Sequence, residues 1–441
     1  TSNPESQDLL EQVVQVAQAD LVVEVGQRQR RLPPSAVVRL KEALIVRPFV
    51  KIALLLSFDS LESIFLQAIC NIMTTTRRSA IKTIVGAFAI PALTPIASAF
   101  TQTSPEWTTY EVVTEVNLDS PNGSAETWIP LPLILDTEYF KTLAIRSEAT
   151  DPKAVNRIYE TPNKQGRMLW TKWDKSSTNH TVRVSMLVST RNRNLEMAAP
   201  NPTLKLSKEE QRFWTRGTKY LPTDGIVKVK AQECIANLPA NASDVDKAKA
   251  IYNWVVDNTH RNPKTRGCGQ GDVKLMLETN NLGGKCADIN AVFVALSRSV
   301  GLPARDVYGI RIADSARGYK SLGKAGDITK AQHCRAEFYA SGFGWVPVDP
   351  ADVRKVILEE TGGLAVTDPK VIAIRDYLFG NWEMNWMAYN YDHDLTLPGS
   401  SLGKKGEIPF LMYPQAENTE GRFDSLDPDN FKYKITSRRI G

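Results

Sequence analysis

Cys286 is well placed to act as a nucleophile, because the pattern that follows it predicts a helix beginning at this residue. Gly283 and Gly284 precede it and allow the chain to enter the helix sharply. The apolar residues after it recur at helical spacing, at Ile289, Val292, Phe293, Leu296 and Val300. A helix N-terminus carries unpaired N–H groups and a partial positive charge, which favour a thiolate over a thiol. Since the thiolate is the nucleophilic form, we predict a reactive cysteine here.

A histidine and an aspartate that could assist this sulfur lie on two successive predicted strands. Side chains alternate between the faces of a strand, so His333 and Arg335 are expected to share one face. A turn around Gly342 would place Asp349 close to the position opposite Arg335, within reach of His333. A carboxylate beside an imidazole holds its tautomer and favours the imidazolium that forms during catalysis. The spacing therefore predicts a catalytic triad of Cys286, His333 and Asp349.

A glycine-rich loop, residues 267–271, precedes the candidate nucleophile. It does not follow a strand in the way that a phosphate-binding loop does, so we interpret it as part of a cleft wall. The helix start could supply one N–H donor for an oxyanion. For the second donor the amide side chains of Gln270, Asn280 and Asn281 are eligible, and we select Gln270 and Asn281. Asp288, in the first turn of the helix, is interpreted as a cap.

The other cysteines leave several interpretations open. None of the five cysteines forms a Cys-x-x-Cys pair, which disfavours a thiol-redox protein. Cys268 could pair with Cys234 in an oxidising compartment, or approach Cys286 and block it reversibly. Cys334 is expected to point away from its neighbour His333 and to lie in the core. A zinc site built from these side chains lacks ligand spacing and uses neighbours that face apart, so we predict no metal and no cofactor.

The order of these motifs resembles the transglutaminase-like superfamily. The sequence runs Gly-Lys-Cys286-Ala-Asp, then Gly-Leu-Pro-Ala-Arg305, then His333, then Gly-Trp345-Val-Pro-Val-Asp349-Pro350. The resemblance covers roughly residues 240–352 and implies a papain-like fold. It implies that Cys286 is the nucleophile, that His333 acts as general base and then acid, and that Asp349 orients the histidine. It also implies amide chemistry through a thioester, with either an amine or water as the acceptor.

Residues 73–99 have the three parts of an export signal. Arg77 and Arg78 provide a positive start, an apolar run covers residues 84–96, and residues 97–99 read Ala-Ser-Ala, as at a cleavage site. The apolar run contains two prolines and is too short to cross a bilayer as a stable helix. We therefore predict that the protein is exported.

The positive start resembles the twin-arginine motif, with Ala80 in place of the usual phenylalanine. We expect the twin-arginine or the Sec machinery to recognise residues 73–99. Because a signal should be N-terminal, we also expect translation to start at Met73 and residues 1–72 to be a non-native upstream extension. The mature protein would be periplasmic or secreted from a bacterial cell.

The remainder of the chain predicts an α+β fold in three parts. Residues 101–215 are predicted to form an antiparallel β-rich domain, because runs such as residues 110–118 alternate apolar and polar side chains. Residues 230–352 are predicted to be the papain-like transglutaminase core. Residues 353–441 are predicted to be an extension that packs on this core.

Two segments of the extension, residues 377–386 and 392–394, contain side chains that could belong to a site. Residues 377–386 are unusually aromatic, and we interpret them as core packing, with a wall of the cleft as the alternative. Asp392, His393 and Asp394 do not have the spacing of a metal site and are interpreted as a solvated loop.

Charge and composition limit the choice of partners. The net charge of +5 is small for 441 residues, and no basic stripe is interleaved with aromatic side chains, so nucleic acid is not an expected partner. We predict a peptide or protein substrate, with cell-wall peptide among the candidates. The predicted activity is that of a transglutaminase-like cysteine acyltransferase, or of a cysteine peptidase or amidase. The alternatives are a catalytically inactive peptide- or cell-wall-binding module on the same fold, and a thiol-redox or metal protein.

Overall fold

The computed structural model of the chain describes residues 106–118, 123–161, 163–197 and 200–441. The predicted signal of residues 73–99, the start at Met73 and the upstream extension 1–72 lie outside the described residues and stay predictions. None of the described helices combines the length and the apolar character that crossing a bilayer requires.

The strands pair in antiparallel fashion, apart from one short parallel pair, β8 with β9. In chain order the strands are β1 Thr108–Leu118, β2 Ala125–Leu131, β3 Phe140–Ala149, β4 Val155–Glu160, β5 Arg167–Trp173, β6 His180–Thr190, β7 Arg193–Asn194, β8 His260–Arg261, β9 Gly283–Gly284, β10 Ala304–Arg311, β11 Gly326–Asp327, β12 Gln332–Ala340, β13 Gly344–Val348, β14 Asn381–Trp382, β15 Trp386–Asn390, β16 Gln415–Asn418, β17 Gly421–Arg422 and β18 Tyr433–Arg439.

Two five-stranded sheets form the β-rich part of the fold, in the strand orders β11-β18-β1-β6-β3 and β17-β16-β2-β5-β4. In β1, Val112, Thr114 and Val116 are buried, whereas Glu115 between them is exposed, as the alternating sequence predicts. Side chains of both sheets, including Val116 and Trp173, belong to one hydrophobic core. The antiparallel β structure predicted ahead of the core is therefore confirmed, and β11, β16, β17 and β18 from later in the chain complete its two sheets.

The helices surround a third, four-stranded sheet of order β13-β12-β10-β15. They are α1 Lys208–Thr215, α2 Gly225–Ile235, α3 Asp244–Asn258, α4 Val273–Glu278, α5 Cys286–Ser299, α6 Pro350–Glu359, α7 Pro369–Tyr377 and α8 Pro428–Phe431. Short 3-10 helices occur at Lys320–Leu322 and Gly403–Gly406. α3 begins after Ser243, whose side chain caps the helix by accepting the Asp246 N–H at 3.1 Å. Helix and antiparallel sheet together confirm the α+β class.

α5 is the central helix of this part of the fold and begins at Cys286, as predicted. α2 and α3 pack against it from one direction and β10 and β12 from another, so its residues are buried from Cys286 through Arg298. The rings of Phe293 and Phe338, on α5 and β12, lie 6.3 Å apart. A helix enclosed in this way holds its first residue in a fixed position relative to β12.

β12 and β13 form the predicted hairpin. Their register pairs Ala336 with Val348, so Asp349, one residue further along, comes opposite Arg335. The Nε atom of Arg335 lies 3.7 Å from Oδ2 of Asp349. The strand register therefore brings Asp349 to the position that the sequence predicts.

The extension, residues 353–441, is divided between the sheets. β15 joins the four-stranded sheet, whereas β16, β17 and β18 join the two five-stranded sheets. The interpretation of the 392–394 segment as a solvated loop is wrong for Asp392 and His393, which are 1% and 9% exposed. They are buried because the segment packs against β10, where the hydroxyl of Tyr308 lies 3.4 Å from Nδ1 of His393.

Glu337 on β12 links the β-rich part to the four-stranded sheet through a buried ion pair network. Arg193 of β7 and Arg305 of β10 both donate to its carboxylate, which is inaccessible to solvent. Replacing Glu337 by glutamine would leave two guanidinium groups without a countercharge. We expect the free energy of unfolding, measured with urea, to fall by about 3–5 kcal/mol.

A surface ion pair provides the control for this prediction. Glu111 pairs with the exposed Arg438 at 2.8 Å, and Glu111→Gln should change the free energy of unfolding by less than about 1 kcal/mol. A loss in Glu337→Gln no larger than that of the control would mean that the buried network does not stabilise the fold.

Candidate active site

Cys286 lies at the mouth of α5 with 4% of its surface exposed. The chain enters through Gly284, where an added Cβ would lie 2.4 Å from the Cβ of Asp288, so no larger residue fits without displacing the helix start. The next residue, Ala287, donates its N–H to the carbonyl oxygen of Cys268 at 2.9 Å. The helix start and the glycine-rich loop are therefore joined beside the sulfur.

His333 and Asp349 form a direct hydrogen bond, with 2.7 Å between Nε2 of the ring and Oδ2 of the carboxylate. The carboxylate is fixed from its other side, because Oδ1 of Asp349 caps α6 and accepts the N–H of Asp352 at 3.0 Å. Since Nε2 is engaged, Nδ1 is the ring nitrogen left to interact with Cys286. Both side chains are buried, and the three predicted triad residues come together at one site.

Two further thiols border the sulfur of Cys286, those of Cys268 and Cys334, and all three cysteines are free and buried. Hydrogen bonds from Cys268 and Cys334, together with the interaction with His333, hold the pKa of the Cys286 thiol well below its usual range, although burial opposes this. Burial and the neighbouring sulfur raise the pKa of Cys334 well above its usual range. These pKa directions favour the thiolate at Cys286 and the thiol form at Cys268 and Cys334, and the Cys268 thiol also lies 3.3 Å from the carbonyl oxygen of Gln332, to which it donates.

The neighbours differ in part from the sequence-based interpretation. Cys334 is in the core, as expected, and its thiol also contacts the nucleophile, which the sequence does not predict. α5 packs on the face of β12 that carries Cys334, and this packing brings the two sulfurs together. Cys268 approaches Cys286, one of its two predicted arrangements, and Cys234 is a separate free thiol on α2.

The charge state of the histidine follows from the groups around it. Burial and Arg311 disfavour a protonated ring, but Asp352 and Asp349 outweigh them and raise the pKa of His333 to about 9. Combined with the lowered pKa of Cys286, this favours an imidazolium beside a thiolate at neutral pH. The site is thus prepared for nucleophilic attack before a substrate binds.

Arg311 and Asp352 lie against the histidine but are not among the site residues that the sequence predicts. Oδ1 of Asp352 is 3.4 Å from Nε2 of His333 and accepts Nη2 of Arg311 at 2.6 Å. Arg311 is a charged residue between two isoleucines of a buried strand, and Asp352 follows Asp349 by three residues in the first turn of α6. Both signals are visible in the sequence, but each by itself is also typical of a surface ion pair or a helix cap.

Asp288 caps its helix, as predicted, and also fastens the glycine-rich loop. Its carboxylate accepts the N–H groups of Gln270 at 3.0 Å, Gly271 at 2.9 Å and Lys285 at 3.0 Å. Gly269 has a positive φ of 91° and lies so close to Asp288 that a Cβ would be 1.8 Å from Oδ2. The loop therefore requires glycine here, and its attachment positions Cys268.

The two predicted oxyanion donors lie in this loop and in the segment that leads into α5. Gln270 has an exposed side chain, and the side chain of Asn281 is exposed and accepts the Gly283 N–H at 3.4 Å. In the described part of the chain, neither side chain hydrogen-bonds to a triad residue. Their role as oxyanion donors stays a prediction.

The aromatic segment of residues 377–386 packs beneath the backbone of the triad residues and holds it through two indole hydrogen bonds. Trp382 and Trp386 are each 1% exposed, so core packing is the interpretation that the structure supports. Trp386 donates its indole N–H to the carbonyl oxygen of His333 at 2.9 Å, and Trp382 donates to that of Val348 at 3.2 Å. Each indole thus fixes the backbone at or next to a triad residue.

A metal site at this position is disfavoured by its own charges. Among the described residues, His333, Asp349 and Asp352 are the group whose donor atoms lie within 4.8 Å of one another. Arg311 already binds Oδ1 of Asp352 and carries the positive charge that a cation would bring. In the described part of the chain, the sulfurs of Cys268, Cys286 and Cys334 are not part of any such group of three potential metal ligands.

The Cys268 thiol should be needed for full activation of the nucleophile. In Cys268→Ala, we expect the pKa of Cys286 to rise, because the neighbouring thiol that lowers this pKa is removed. The pH dependence of alkylation by iodoacetamide measures this, and its midpoint should move to higher pH. Cys234→Ala is the matched control and should leave the midpoint unchanged; equal midpoints in the two variants would contradict the assigned role of Cys268.

Comparisons with known proteins bear on the region that contains the site. The sequence pattern of the transglutaminase-like superfamily matches residues 230–350, which include Cys286, His333 and Asp349. An uncharacterized protein of Haemophilus influenzae is 36% identical over 351 residues, which are 75% of this chain and 91% of that protein.

Two solved structures are similar over much of their length. A protein of Cytophaga hutchinsonii, provisionally assigned as a cysteine protease, aligns with a TM-score of 0.43 and 15% identity, over 76% of this chain and 98% of that one. The periplasmic domain of TgpA from Pseudomonas aeruginosa aligns with a TM-score of 0.29 and 14% identity, over 59% of this chain and 94% of that one.

Proposed function

The chain belongs to the transglutaminase-like superfamily, and on this basis we propose that it transfers or hydrolyses acyl groups at amide bonds through Cys286, His333 and Asp349. The observation that carries the proposal is the continuous contact from the sulfur through the imidazole to Asp349, with 2.7 Å between ring and carboxylate. A binding module would have no need of a thiolate held beside an imidazolium.

In the first half of the reaction, the Cys286 thiolate attacks the carbonyl carbon of an amide. A carbon–sulfur bond forms, and the carbon–nitrogen bond breaks as His333 gives the Nδ1 proton to the departing nitrogen. The amine leaves, and the acyl group remains on the sulfur as a thioester. Asp349 stabilises the imidazolium before this step and holds the tautomer of the ring after it.

In the second half, the neutral His333 removes a proton from water or from a second amine, which attacks the thioester. The carbon–sulfur bond breaks, the thiolate and the imidazolium are regenerated, and an acid or a new amide is released. The acceptor alone decides between hydrolysis and transfer, and both outcomes use the same residues.

The developing oxyanion needs hydrogen-bond donors close to the sulfur. Ala287 already donates to Cys268, so we assign the N–H of Cys286, at the start of the helix, as one donor. Gln270 and Asn281 are the proposed second donors, because they belong to the two segments joined to the helix start, the glycine-rich loop and the chain entering α5, and both have exposed amide side chains.

We place the substrate outside the cytoplasm, as an extracytoplasmic peptide or protein, on the signal-like pattern of residues 73–99. The buried sulfur, 4% exposed, is compatible with a narrow approach such as an extended peptide would make. Cell-wall peptides are one class to test among these substrates.

Product analysis tests the proposal and separates the two acceptors. A peptide library is incubated with the protein, with and without a primary amine, and the products are analysed by mass spectrometry. A mass gain of water on cleavage indicates hydrolysis, and incorporation of the amine indicates transfer. Peptides that bind without any product, in the wild type and in Cys286→Ala alike, would favour the binding module instead.

A further inference from the structure

The His333 ring faces two carboxylates, although one is enough to orient it. Asp349 makes the short contact to Nε2, at 2.7 Å, and Asp352 approaches the same nitrogen at 3.4 Å. The two aspartates are linked, because the Asp352 N–H donates to Oδ1 of Asp349 at 3.0 Å. A second buried carboxylate at this distance is costly unless it is paired, so its presence calls for a function.

Arg311 provides the pairing. Its Nη2 donates to Oδ1 of Asp352 at 2.6 Å, and its Nη1 donates to the carbonyl oxygen of Leu322 at 2.6 Å. Arg311 is 3% exposed and Asp352 is 1% exposed. The guanidinium is thus anchored at two points, and it holds the Asp352 oxygen that is turned toward the histidine.

The net charge of the buried site is zero whether the proton lies on the ring or on the sulfur, so the placement of the carboxylates, and not the charge count, favours one of the two states. Asp349, Asp352 and a Cys286 thiolate are negative, and Arg311, Arg335 and a protonated His333 are positive, with all six side chains buried. If the proton moved from the ring to the sulfur, Asp349 and Asp352 would still be matched by the two arginines. The ring and the sulfur would then be neutral, and the nucleophile would be lost.

We propose that Asp352, clamped by Arg311, is a second positioning residue that keeps His333 protonated beside the sulfur, whereas Asp349 orients the ring. This inference rests on the proposed function, because it assigns a role within the same reaction. Both carboxylates therefore favour the protonated ring; Asp349 also sets its direction, and Asp352 adds a second negative charge at 3.4 Å.

Every charged or titratable group that faces His333 has to be considered in a pH experiment. The groups that interact with the ring or with Asp349 are Asp349 and Asp352 at the start of α6, Arg311 of β10, Arg335 of β12 and Cys286 of α5. Lys355 and Tyr252 interact with the carboxylates, and Cys268 and Cys334 with the Cys286 sulfur.

Replacing Asp352 by asparagine tests the inference. Asparagine keeps the shape and can still accept from Arg311, but it removes the negative charge and leaves Arg311 to repel the imidazolium. The pKa of His333, about 9 in the wild type, should fall by about 1–2 units. Two measurements report it: the alkaline limb of the kcat/KM profile, and the ring resonances in histidine-labelled protein, assigned with His333→Asn among the four histidines.

Two controls are available: an aspartate–arginine pair away from the site, and a double variant that removes both Asp352 and its partner Arg311. Asp257 pairs with Arg375 at 2.6 Å, away from the site, and Asp257→Asn should leave both measurements unchanged. In the double variant Asp352→Asn with Arg311→Met, the two opposing charges are removed together, so the alkaline limb should return toward the wild-type position. If Asp352→Asn does not fold, Asp352→Ser serves in its place, because it also removes the negative charge and should lower the pKa of His333 in the same way.

The resonance measurement separates failure of the inference from failure of the proposed function. If the wild type turns over substrate and Asp352→Asn leaves both the alkaline limb and the His333 titration unchanged, the inference is overturned and the function stands. If no substrate is turned over but the His333 titration still moves to lower pH in Asp352→Asn, the inference stands and the proposed function fails.

Discussion

Replacing Cys286 by alanine should reduce the turnover of an amide substrate to near the uncatalysed rate. The sulfur forms the only covalent bond between enzyme and acyl group, so the histidine and the oxyanion donors have nothing to activate without it. In enzymes whose nucleophile and base act as a unit, this loss is roughly 10⁵- to 10⁶-fold in kcat. Initial rates on the best peptide from the product analysis measure it.

Cys234→Ala is the matched control, because Cys234 is a free, half-buried cysteine on α2. Burial raises the pKa of its thiol to about 12, so it is not a nucleophile at neutral pH. Its removal should leave kcat unchanged within a factor of two or so. Retention of more than a hundredth of the wild-type rate by Cys286→Ala would mean that another group carries the chemistry.

Asp349→Asn should lower kcat by about 10⁴-fold at every pH, with little effect on folding. The asparagine side chain can donate its amide N–H to Nε2 of His333. This stabilises the tautomer with the proton on Nδ1, which then cannot act as the base beside Cys286. Asparagine is also a good helix cap, so it can still accept the Asp352 N–H and keep α6 in place. Steady-state kinetics, together with urea unfolding, separate the two effects.

The control for this variant is another aspartate with the same structural role. Asp368 caps α7 and accepts the Lys370 N–H at 2.8 Å, but it has no histidine partner. Asp368→Asn should match Asp349→Asn in stability and the wild type in kcat. A kcat in Asp349→Asn within tenfold of the wild type would show that the carboxylate does not orient the base.

The variants at Asp349 and Asp352 should have different pH–rate profiles. Loss of Asp349 removes the geometry of the base, so the rate falls across the whole pH range. Loss of Asp352 removes a charge, so the profile moves along the pH axis and the maximum is less affected. Because the two residues are three positions apart on one helix, general damage to α6 would affect both profiles in the same way.

Local patterns in the sequence predicted the elements that present the triad. The apolar spacing after Cys286 gives the start of α5, and the alternation on either side of Gly342 gives the hairpin that brings Asp349 opposite Arg335. These predictions succeed because helix phase and strand register depend on neighbours close in the chain. The glycines before the nucleophile were equally informative, since Gly284 leaves no space for a side chain.

Residues that act through contacts between distant segments were not predicted. Arg311 and Asp352 are 41 positions apart and meet only because α6 directly follows β13, which lies in the same sheet as β10 with β12 between them. Cys268 and Cys334 reach the nucleophile from a loop and from the strand face covered by α5. Asp392 and His393, interpreted as solvated, are buried because the C-terminal part of the chain returns across the sheets.

The sequence by itself determined which residues could react and on which helix and strands they lie, because those properties follow from side-chain chemistry and local periodicity. Only the tertiary structure decided the protonation state of the site. That state depends on burial and on the distances between six charged groups drawn from four separate elements, and packing alone sets those distances.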